Sequence, residues 1–351
     1  QAEPLAKLLN QKNNERKDVV NTITEEAIAM IESDEAIKNS LVLVVAKERW
    51  NAGVVGIVAS RLVGKYYKPT IILSLDNEKG TAKGSARSIE GFHLYDELAK
   101  NRDILPHFGG HPMAAGMTLP LEHVDELRKR LHHQAKEVLT DEQLVQKLYI
   151  DVPIDLGEVT VEAIEEIRKL GPFGTEFAKP VFALEKVNIA SMRRIGAQEN
   201  HLKLELEDAY GKIDAIGFNK GYLYNEISYD VQVSFVGDLQ INEWQGRKKP
   251  QFMIEDVQAE EWQLYDYRGK SQAANWLSKL SMDQTDFVAF QQQTVNHYEQ
   301  IIQRPIHLID QEESYKELRS YVVILDLPNN VQLLENMLRE KQFKRIYAHF
   351  Y

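Results

Sequence analysis

Residues 41–46 read LVLVVA, six apolar residues without a polar break. A short run of this kind is typical of a strand that is buried on both faces of a sheet. Asn51 is predicted to cap a helix over 52–67, and Pro69 ends that helix before a second apolar strand at 70–75. Two buried strands joined by a helix predict a mixed α/β sheet in this part of the chain.

The alternation of strands and helices continues downstream. A strand is predicted over 81–89, TAKGSARSI, with a close backbone approach at Gly84. A short helix over 92–102, a glycine-rich loop, a strand over 113–119 and a charged helix over 121–138 follow. These elements complete one predicted α/β domain.

Three other patterns flank this domain. Residues 2–38 carry apolar residues at helical spacing in a polar background, which predicts a long connecting helix. After one helix at 160–170, short runs that alternate apolar and polar residues, such as HLKLELE, predict a small antiparallel barrel or sandwich. Strands alternate with a helix again towards the end of the chain. We therefore expect a connector at 1–38, an α/β domain at 39–140, a β domain at 141–258 and a second, partial α/β domain at 259–351.

The composition excludes several classes of protein. The chain has no cysteine, which excludes a disulfide framework and thiolate metal sites and fits a reducing cytoplasm. No apolar run approaches the roughly 18 residues of a membrane span. Residues 1–17 lack the pattern of a signal peptide and read as a helix entered midway. We expect a portion of a longer, cytoplasmic protein without a membrane anchor.

Charge is unevenly distributed along the chain. The formal net charge is −11, which argues against nucleic-acid binding by the surface as a whole. Residues 41–140 nevertheless carry 14 Lys and Arg against 11 Asp and Glu, whereas residues 141–258 carry 13 against 21. The α/β domain is therefore net positive in an acidic chain.

The segment 107–118, HFGGHPMAAGMT, places small residues around His111. Glycines in a loop expose backbone N–H groups that can hold an anionic oxygen, and the His111 imidazole can add a donor or a proton. Gly109 and Gly110 can also adopt positive φ angles. The alternative is a tight turn into the next strand that His111 caps, and the spacing taken alone favours that turn.

Two further stretches of this domain carry polar or aromatic groups among small residues. In GSARS at 84–88, Arg87 suits a bidentate phosphate contact, and Ser85 and Ser88 supply hydroxyl donors. The alternative is an exposed arginine in a surface ion pair. Trp50 can stack on a base beside a helix N-terminus that receives an anion. The alternative there is a core tryptophan.

The β-rich segment carries candidate contacts to a single strand. Phe173 lies among glycines and prolines, and Trp244 precedes Arg247, Lys248 and Lys249. Bases stack on aromatic rings while lysine and arginine contact phosphates. The alternative for GRKKP is a solvated hairpin turn.

No metal site is predicted in this chain. Its ten histidines form no HExxH motif, no Asp-His-His run and no cluster with carboxylates at metal spacing. His132 and His133 lie on a charged helix and are expected to be solvated. Neither a Walker A sequence nor a GxGxxG motif occurs.

Taken together, these stretches resemble the RecJ family, the single-strand-specific exonucleases of the DHH phosphoesterase superfamily. The motifs that carry the resemblance, in the family's order, are WNAGVVGIVASRL, YYKPTIIL, GSARSI, FGGHPMAAGM, GPFG with KPVF, HLKLELED, DAIGF and NEWQGRKKPQFMIEDVQ. The resemblance covers residues 5–258 and implies a DHH-associated substrate domain followed by an OB-fold barrel that binds nucleic acid. Residues 259–351 resemble the start of an extra C-terminal domain. Asn51 stands where many relatives have histidine, and TEFAKP replaces the usual run after GPFG.

The resemblance also implies a function. In the family, a first domain with an Asp/His site for Mn²⁺ or Mg²⁺ activates water, and the second domain holds the adjoining phosphates. That holding role carries over by motif to Ser85, Arg87, Ser88, Gly109, Gly110 and His111. We expect the C-terminal portion of a 5′→3′ exonuclease of single-stranded DNA in DNA repair and recombination, inactive without its metal-bearing domain. Expected partners are single-stranded DNA and a protein such as single-strand-binding protein or a RecQ-type helicase.

Two other functions fit part of the sequence. A DHH-type phosphoesterase of short oligonucleotides or cyclic dinucleotides would share GSARS and GGH, but it would not need a binding barrel several nucleotides long. The third possibility is a non-enzymatic module that binds single-stranded DNA or docks a protein, with the C-terminal α/β unit recruiting the protein. The acidic charge of 141–258 favours a protein-facing role for part of its surface.

Overall fold

The computed structural model describes residues 2–174, 176–268, 280 and 283–350. The first and last residues of the predicted domains, Gln1 and Tyr351, lie outside the described residues. The chain forms two compact units, Gln1–Leu148 and Tyr149–Tyr351. Among the described residues, no helix is both long enough and apolar enough to cross a membrane.

The first unit is a mixed α/β fold. Its helices are α1 (Ala2–Ser33), α2 (Glu35–Lys38), α3 (Val55–Tyr66), α4 (Leu94–Ala99) and α5 (Val124–Val138). Its strands are β1 (Leu43–Glu48), β2 (Thr70–Asp76), β3 (Thr81–Arg87), β4 (His107–His111) and β5 (Ala114–Pro120). They form one sheet in the order β1-β2-β3-β5-β4, in which only β1 and β2 are parallel. The predicted α/β architecture is confirmed.

The predicted connector helix is broken at Asp34. α1 ends at Ser33, and the Asp34 carboxylate accepts hydrogen bonds from the N–H groups of Ala36 and Ile37. An aspartate in this position satisfies N–H groups that a new helix leaves free, and it stabilises a separate start. The single helix predicted over 2–38 is therefore two helices.

Asn51 does not cap α3. Its Oδ1 accepts a hydrogen bond from the Gly53 N–H at 2.8 Å, and α3 begins only at Val55. An asparagine side chain that bonds two residues ahead closes a local turn and competes with the helix for the same backbone groups. The predicted cap is wrong for this reason, and the helix is one turn shorter at its start.

The two faces of this sheet are covered by different helices. Residues such as Ile71 and Ala86 pack with α4 and α5 on one face. Leu43 and Ile72 pack with α1 and α3 on the other face. α3 packs on β2 and β3, and the small residues of β4 and β5 on that same face stay partly or fully exposed.

The described residues of the second unit form two sheets. The helices described in this unit are α6 (Val161–Lys169), α7 (Gln292–Ile302) and α8 (Val331–Glu340). The strands of its first sheet are β6 (Val152–Pro153), β7 (Phe182–Ile195), β8 (His201–Glu207), β9 (Lys212–Gly217), β10 (Val233–Trp244) and β11 (Arg247–Gln258). β7, β8, β9, β11 and β10 pair in that order, and β10 also pairs with β7. Alternate residues such as Leu202, Leu204 and Leu206 are buried in one core.

The second sheet of this unit is entirely parallel. Its strands are β12 (Gln263–Asp266), β13 (Thr285–Ala289), β14 (Ile306–Leu308), β15 (Tyr321–Ile324) and β16 (Arg345–Ala348), in the order β12-β16-β15-β13-β14. Parallel strands need cover on both faces. Val295 of α7 and Met337 of α8 accordingly lie in two separate cores. The predicted C-terminal α/β pattern is confirmed, while the predicted domain boundaries stay predictions.

Candidate nucleic-acid interface

The Gly109–Gly110 pair lies on an edge strand and not in a loop. β4 pairs antiparallel with β5, so that Gly109 is opposite Gly116 and Gly110 is opposite Ala115. Neither Gly109 nor Gly110 has a positive φ. The predicted glycine loop is wrong because the extended backbone finds a partner strand, and the turn follows only at residues 112–113.

Gly110 is required by packing. A Cβ added to Gly110 would lie 2.2 Å from the Ala114 carbonyl oxygen and 2.6 Å from Ala115 Cα. Contacts this short do not occur, so β4 can approach β5 only through a glycine here. Gly110 therefore shapes the hairpin, and its predicted direct contact with phosphate stays a prediction.

Nine residues of β3, β5 and β4 lie on the same side of the sheet as α3, because directly opposite residues of antiparallel strands share a face. They form three rows, namely Arg87, Ala114 and His111; then Ser85, Gly116 and Gly109; then Lys83, Thr118 and His107. We call these nine residues the glycine face. It carries one arginine, one lysine and two histidines and no carboxylate.

The two glycines of the middle row, Gly109 and Gly116, are bare backbone that packing does not explain. A Cβ added to Gly109 would meet no heavy atom within 4 Å, and one added to Gly116 would meet only the Gly84 carbonyl oxygen at 4.0 Å. Both residues are exposed. Glycine weakens a strand interior and often marks a place where a ligand approaches the backbone. The two glycines thus favour a ligand over a packing role.

Arg87 and Ser85 lie where α3 meets the glycine face. A Cβ added to Gly56 of α3 would lie 3.1 Å from Arg87 Nη2 and 3.4 Å from Ser85 Oγ. Arg87 Nη1 donates to the Ala86 carbonyl at 2.8 Å. Arg87 takes part in none of the ion pairs found between described residues, so the surface ion pair considered above is not formed there. The guanidinium is held beside the bare row with donor groups left over.

Ser88 and Trp50 are structural. Ser88 is only 5% exposed and its Oγ donates to the Phe92 carbonyl at 2.6 Å. Trp50 is also 5% exposed, and its Nε1 donates to Glu26 Oε2 at 2.7 Å. This hydrogen bond is the main cause that lowers the pKa of Glu26, and the hydrogen bond from Lys47 is the second. The predicted phosphate contact of Ser88 and the predicted base stacking of Trp50 are wrong, because both side chains are enclosed and already bonded.

His132 is not solvated as predicted. Its Nδ1 accepts the Leu41 N–H at 3.1 Å, which joins α5 to the start of β1. Burial, followed by the charges of Lys136, His133 and Lys68, lowers the pKa of His132. His133, by contrast, is exposed.

The basic residues near Trp244 lie on a strand. The turn occupies Gln245 and Gly246, and Arg247, Lys248 and Lys249 open β11. Trp244 is 73% exposed opposite Arg247. Side chains alternate along a strand, so Arg247 and Lys249 share one face and Lys248 lies on the other. Lys248 Nζ is 2.8 Å from Glu165 Oε1, and this carboxylate compensates its charge.

Sequence reasoning missed three exposed tyrosines in the second unit. Tyr222, Tyr224 and Tyr229 are exposed in and after the 3-10 helix Gly221–Asn225, and the Arg194 guanidinium lies 5.1 Å from the Tyr224 ring centroid. The signal was the tyrosine-rich run GYLYNEISY at 221–229. Phe173, which was predicted, is half-buried and stacks on the more exposed Phe177 at 5.6 Å between ring centroids.

The part of the chain that the structure describes contains no group of three or more His, Cys, Asp or Glu residues arranged to hold a metal ion.

Comparisons with known proteins match the chain in three consecutive parts. Family models described as DHHA1 domain, RecJ OB domain, and Single-strand DNA-specific exonuclease, C terminal domain, match residues 38–137, 150–256 and 263–351.

Curated relatives match as well. The Single-stranded-DNA-specific exonuclease RecJ of Bacillus subtilis is 42% identical over 354 residues, which cover 100% of this chain and 45% of the relative. The protein of the same name from Haemophilus influenzae is 34% identical over 266 residues, 73% of this chain and 46% of the relative. The chain therefore spans about half the length of the curated relatives it matches.

A solved structure has the same fold. The crystal structure of RecJ in complex with Mn²⁺ from Thermus thermophilus matches 100% of this chain and 48% of its own, with a TM-score of 0.60 and 17% sequence identity. A second structure of that protein, in complex with Mg²⁺, matches with a TM-score of 0.59 and 19% identity.

Proposed function

Because this chain belongs to the RecJ family of single-stranded-DNA-specific exonucleases, we propose that it supplies the substrate-holding part of a 5′→3′ exonuclease of single-stranded DNA that acts in DNA repair and recombination. The glycine face carries this proposal. It combines bare, exposed backbone at Gly109 and Gly116 with cationic side chains on both sides and no carboxylate, which suits the sugar-phosphate backbone of a nucleic acid.

The rows of the glycine face have a spacing that suits successive phosphates. The two outer rows contain Arg87 with His111 and Lys83 with His107. They are four strand residues apart, which corresponds to a separation of about 13 Å along the strands. Each outer row lies about 7 Å from the glycine row, comparable to the distance between neighbouring phosphates on an extended strand. One phosphate is then held by Arg87, Ser85 and His111 beside Gly109, and the neighbouring backbone passes over the glycines towards Lys83.

The ring of pairings from β7 through β8, β9, β11 and β10 back to β7 supports a closed OB-type barrel in the second unit. OB folds bind single strands with aromatic platforms and basic grooves. In this proposal Trp244, Arg247 and Lys249 contact bases and phosphates at the β10–β11 tip, and Phe173 contacts a base. Lys248 contributes less, because Glu165 already compensates its charge.

A metal ion does not fit the described residues of this chain. The solved relatives are in complex with Mn²⁺ or Mg²⁺, whereas the described residues offer no cluster of ligands. We place the metal site on a part of the protein other than these domains, where the ion would generate the attacking hydroxide. This chain alone should then lack nuclease activity, and degradation of single-stranded DNA by the purified chain with Mn²⁺ would contradict that.

The alternatives are less well supported. The match to an OB domain model favours a substrate several nucleotides long over short oligonucleotides or cyclic dinucleotides. A docked single-strand-binding protein or RecQ-type helicase stays a prediction that rests on the acidic charge of residues 141–258, and a cytoplasmic location stays a prediction as well.

The experiment that tests the holding role compares two variants of equal charge change. Arg87→Gln removes one cation of the glycine face and leaves Lys83, and Lys129→Gln removes an exposed cation of α5, a helix on the opposite face of the sheet. Binding of a labelled single strand is measured by fluorescence anisotropy across a salt series. Arg87→Gln should weaken binding about tenfold and lower the salt slope by about 0.7. Equal affinities of Arg87→Gln and Lys129→Gln would refute the proposal.

A further inference from the structure

We propose that a cavity beside β10 in the second unit binds one nucleobase that presents an exocyclic amino group to Asp238. This site rests on the proposed binding of single-stranded DNA and adds base selectivity to it. The cavity has a volume of about 330 Å³ and is lined by α6, by residues 171, 173, 179, 180 and 182, and by the edge of β10 beyond Gly237. This volume lies within the range of small-ligand pockets and is large enough for one nucleoside.

Asp238 is the polar group that this cavity leaves unsatisfied. Its Oδ1 is enclosed and accepts no hydrogen bond from any described residue. Its Oδ2 lies 3.7 Å from Lys179 Nζ, which is an ion pair but too long for a hydrogen bond. A carboxylate can accept about four hydrogen bonds, and leaving a buried acceptor empty is costly. The side chain keeps 18% of its surface exposed, and because Oδ1 is enclosed, Oδ2 is the oxygen that offers its remaining acceptor sites to a ligand in the cavity.

Asp238 follows the position at which β10 leaves β7. A β-bulge on the neighbouring strand β11 lies opposite this position, because Val236 pairs with Asp256 and Gly237 with Ile254, which leaves Glu255 as the extra residue. A Cβ added to Gly237 would lie 1.9 Å from the Met253 carbonyl oxygen, so the close approach needs glycine. Beyond Gly237, β10 no longer pairs with β7, and the backbone edge at Leu239 lines the cavity.

The remaining walls fit a base and its phosphate. Phe173 lines the cavity, and its ring stacks on Phe177 with 26° between the planes. Ile164 and Leu239 add apolar surface, while Arg168 and Lys179 supply cations. A flat ring, a row of N–H donors and a nearby anion are the chemistry of a nucleotide.

The donor requirement sets the expected base preference. The Asp238 Oδ2 can accept from the exocyclic amino group of guanine, and a carboxylate also accepts from the amino group of cytosine. Inosine has the shape of guanine without its exocyclic amino group. The site should therefore prefer guanine to inosine in an otherwise identical strand.

The test measures the affinity of the full chain for two thymine-rich single strands that differ only in widely spaced guanine or inosine residues. The unsubstituted protein should bind the guanine strand several-fold to tenfold more tightly. Asp238→Asn, which keeps the side-chain volume, should abolish that ratio. Glu185→Gln, which removes an exposed carboxylate from β7, should keep it. Phe177→Ala should weaken binding of both strands.

Two results would overturn the site: equal affinity of the unsubstituted protein for the two strands, or an undiminished ratio in Asp238→Asn. The first needs no variant and so does not depend on how Asp238→Asn folds. The Arg87→Gln comparison separates this site from the proposed function. If Arg87→Gln weakens binding and no guanine preference exists, the cavity assignment alone has failed.

Discussion

Replacing Gly109 by alanine should lower the affinity for single-stranded DNA without destabilising the fold. The added Cβ meets no heavy atom within 4 Å, and the native φ of Gly109 is not positive. An alanine compatible with the native backbone stabilises a protein by about 0.4–1 kcal/mol, because the unfolded chain loses freedom. The free energy of unfolding of Gly109→Ala should therefore stay constant or rise slightly.

The expected loss of binding follows from where the new methyl group stands. It occupies the bare middle row, where the proposed phosphate approaches the backbone between the outer rows. A hydrogen bond to a charged group contributes about 1.5–3 kcal/mol, so losing one such contact should weaken binding roughly 10- to 150-fold.

Two other glycines provide the controls for Gly109→Ala. Gly64 of α3 is exposed with no atom near an added Cβ, so Gly64→Ala should raise stability and leave DNA affinity unchanged. Gly110→Ala would force its Cβ to within 2.2 Å of a backbone oxygen and should destabilise the unit by about 1–3 kcal/mol or more. Urea unfolding and fluorescence anisotropy measure the two quantities on the same samples. Unchanged DNA affinity of a folded Gly109→Ala would refute the reasoning.

Two further outcomes concern buried side chains of the first unit. The pKa of His132 is lowered in the folded protein, so protonation favours unfolding, and the stability from this residue is present above about pH 6.5 and lost as pH falls. Urea midpoints at pH 7.5 and 5.5 should differ less in His132→Gln than in the unsubstituted protein; equal differences would contradict this. Trp50→Phe removes the hydrogen bond to Glu26 and should cost about 1–3 kcal/mol of stability with no change in DNA affinity. Weaker DNA binding without loss of stability would instead indicate that Trp50 contacts DNA.

Local patterns in the sequence determined most of the elements. The apolar run at 41–46 and the alternation at 201–207 predicted β1 and β8, because burial on two faces or on one face leaves a distinct period. The family could also be predicted, since motif order is a property of the chain itself. The start of α3 could not be predicted, because the Asn51 side chain forms a local turn with Gly53 and does not cap the helix.

The roles of single residues were decided only by the tertiary structure. Gly109 and Gly110 are identical neighbours in the sequence, yet Gly110 touches the β5 backbone and Gly109 faces open space. Strand pairing assigns alternate residues to opposite faces, and the partner strand and its register are not local properties. In the same way, the side chains of Ser88 and Trp50 are of types that contact DNA, but both are buried and form hydrogen bonds within the fold. The sequence by itself determined which residue types were present for phosphate and base recognition. Packing and strand register decided which of them face a ligand.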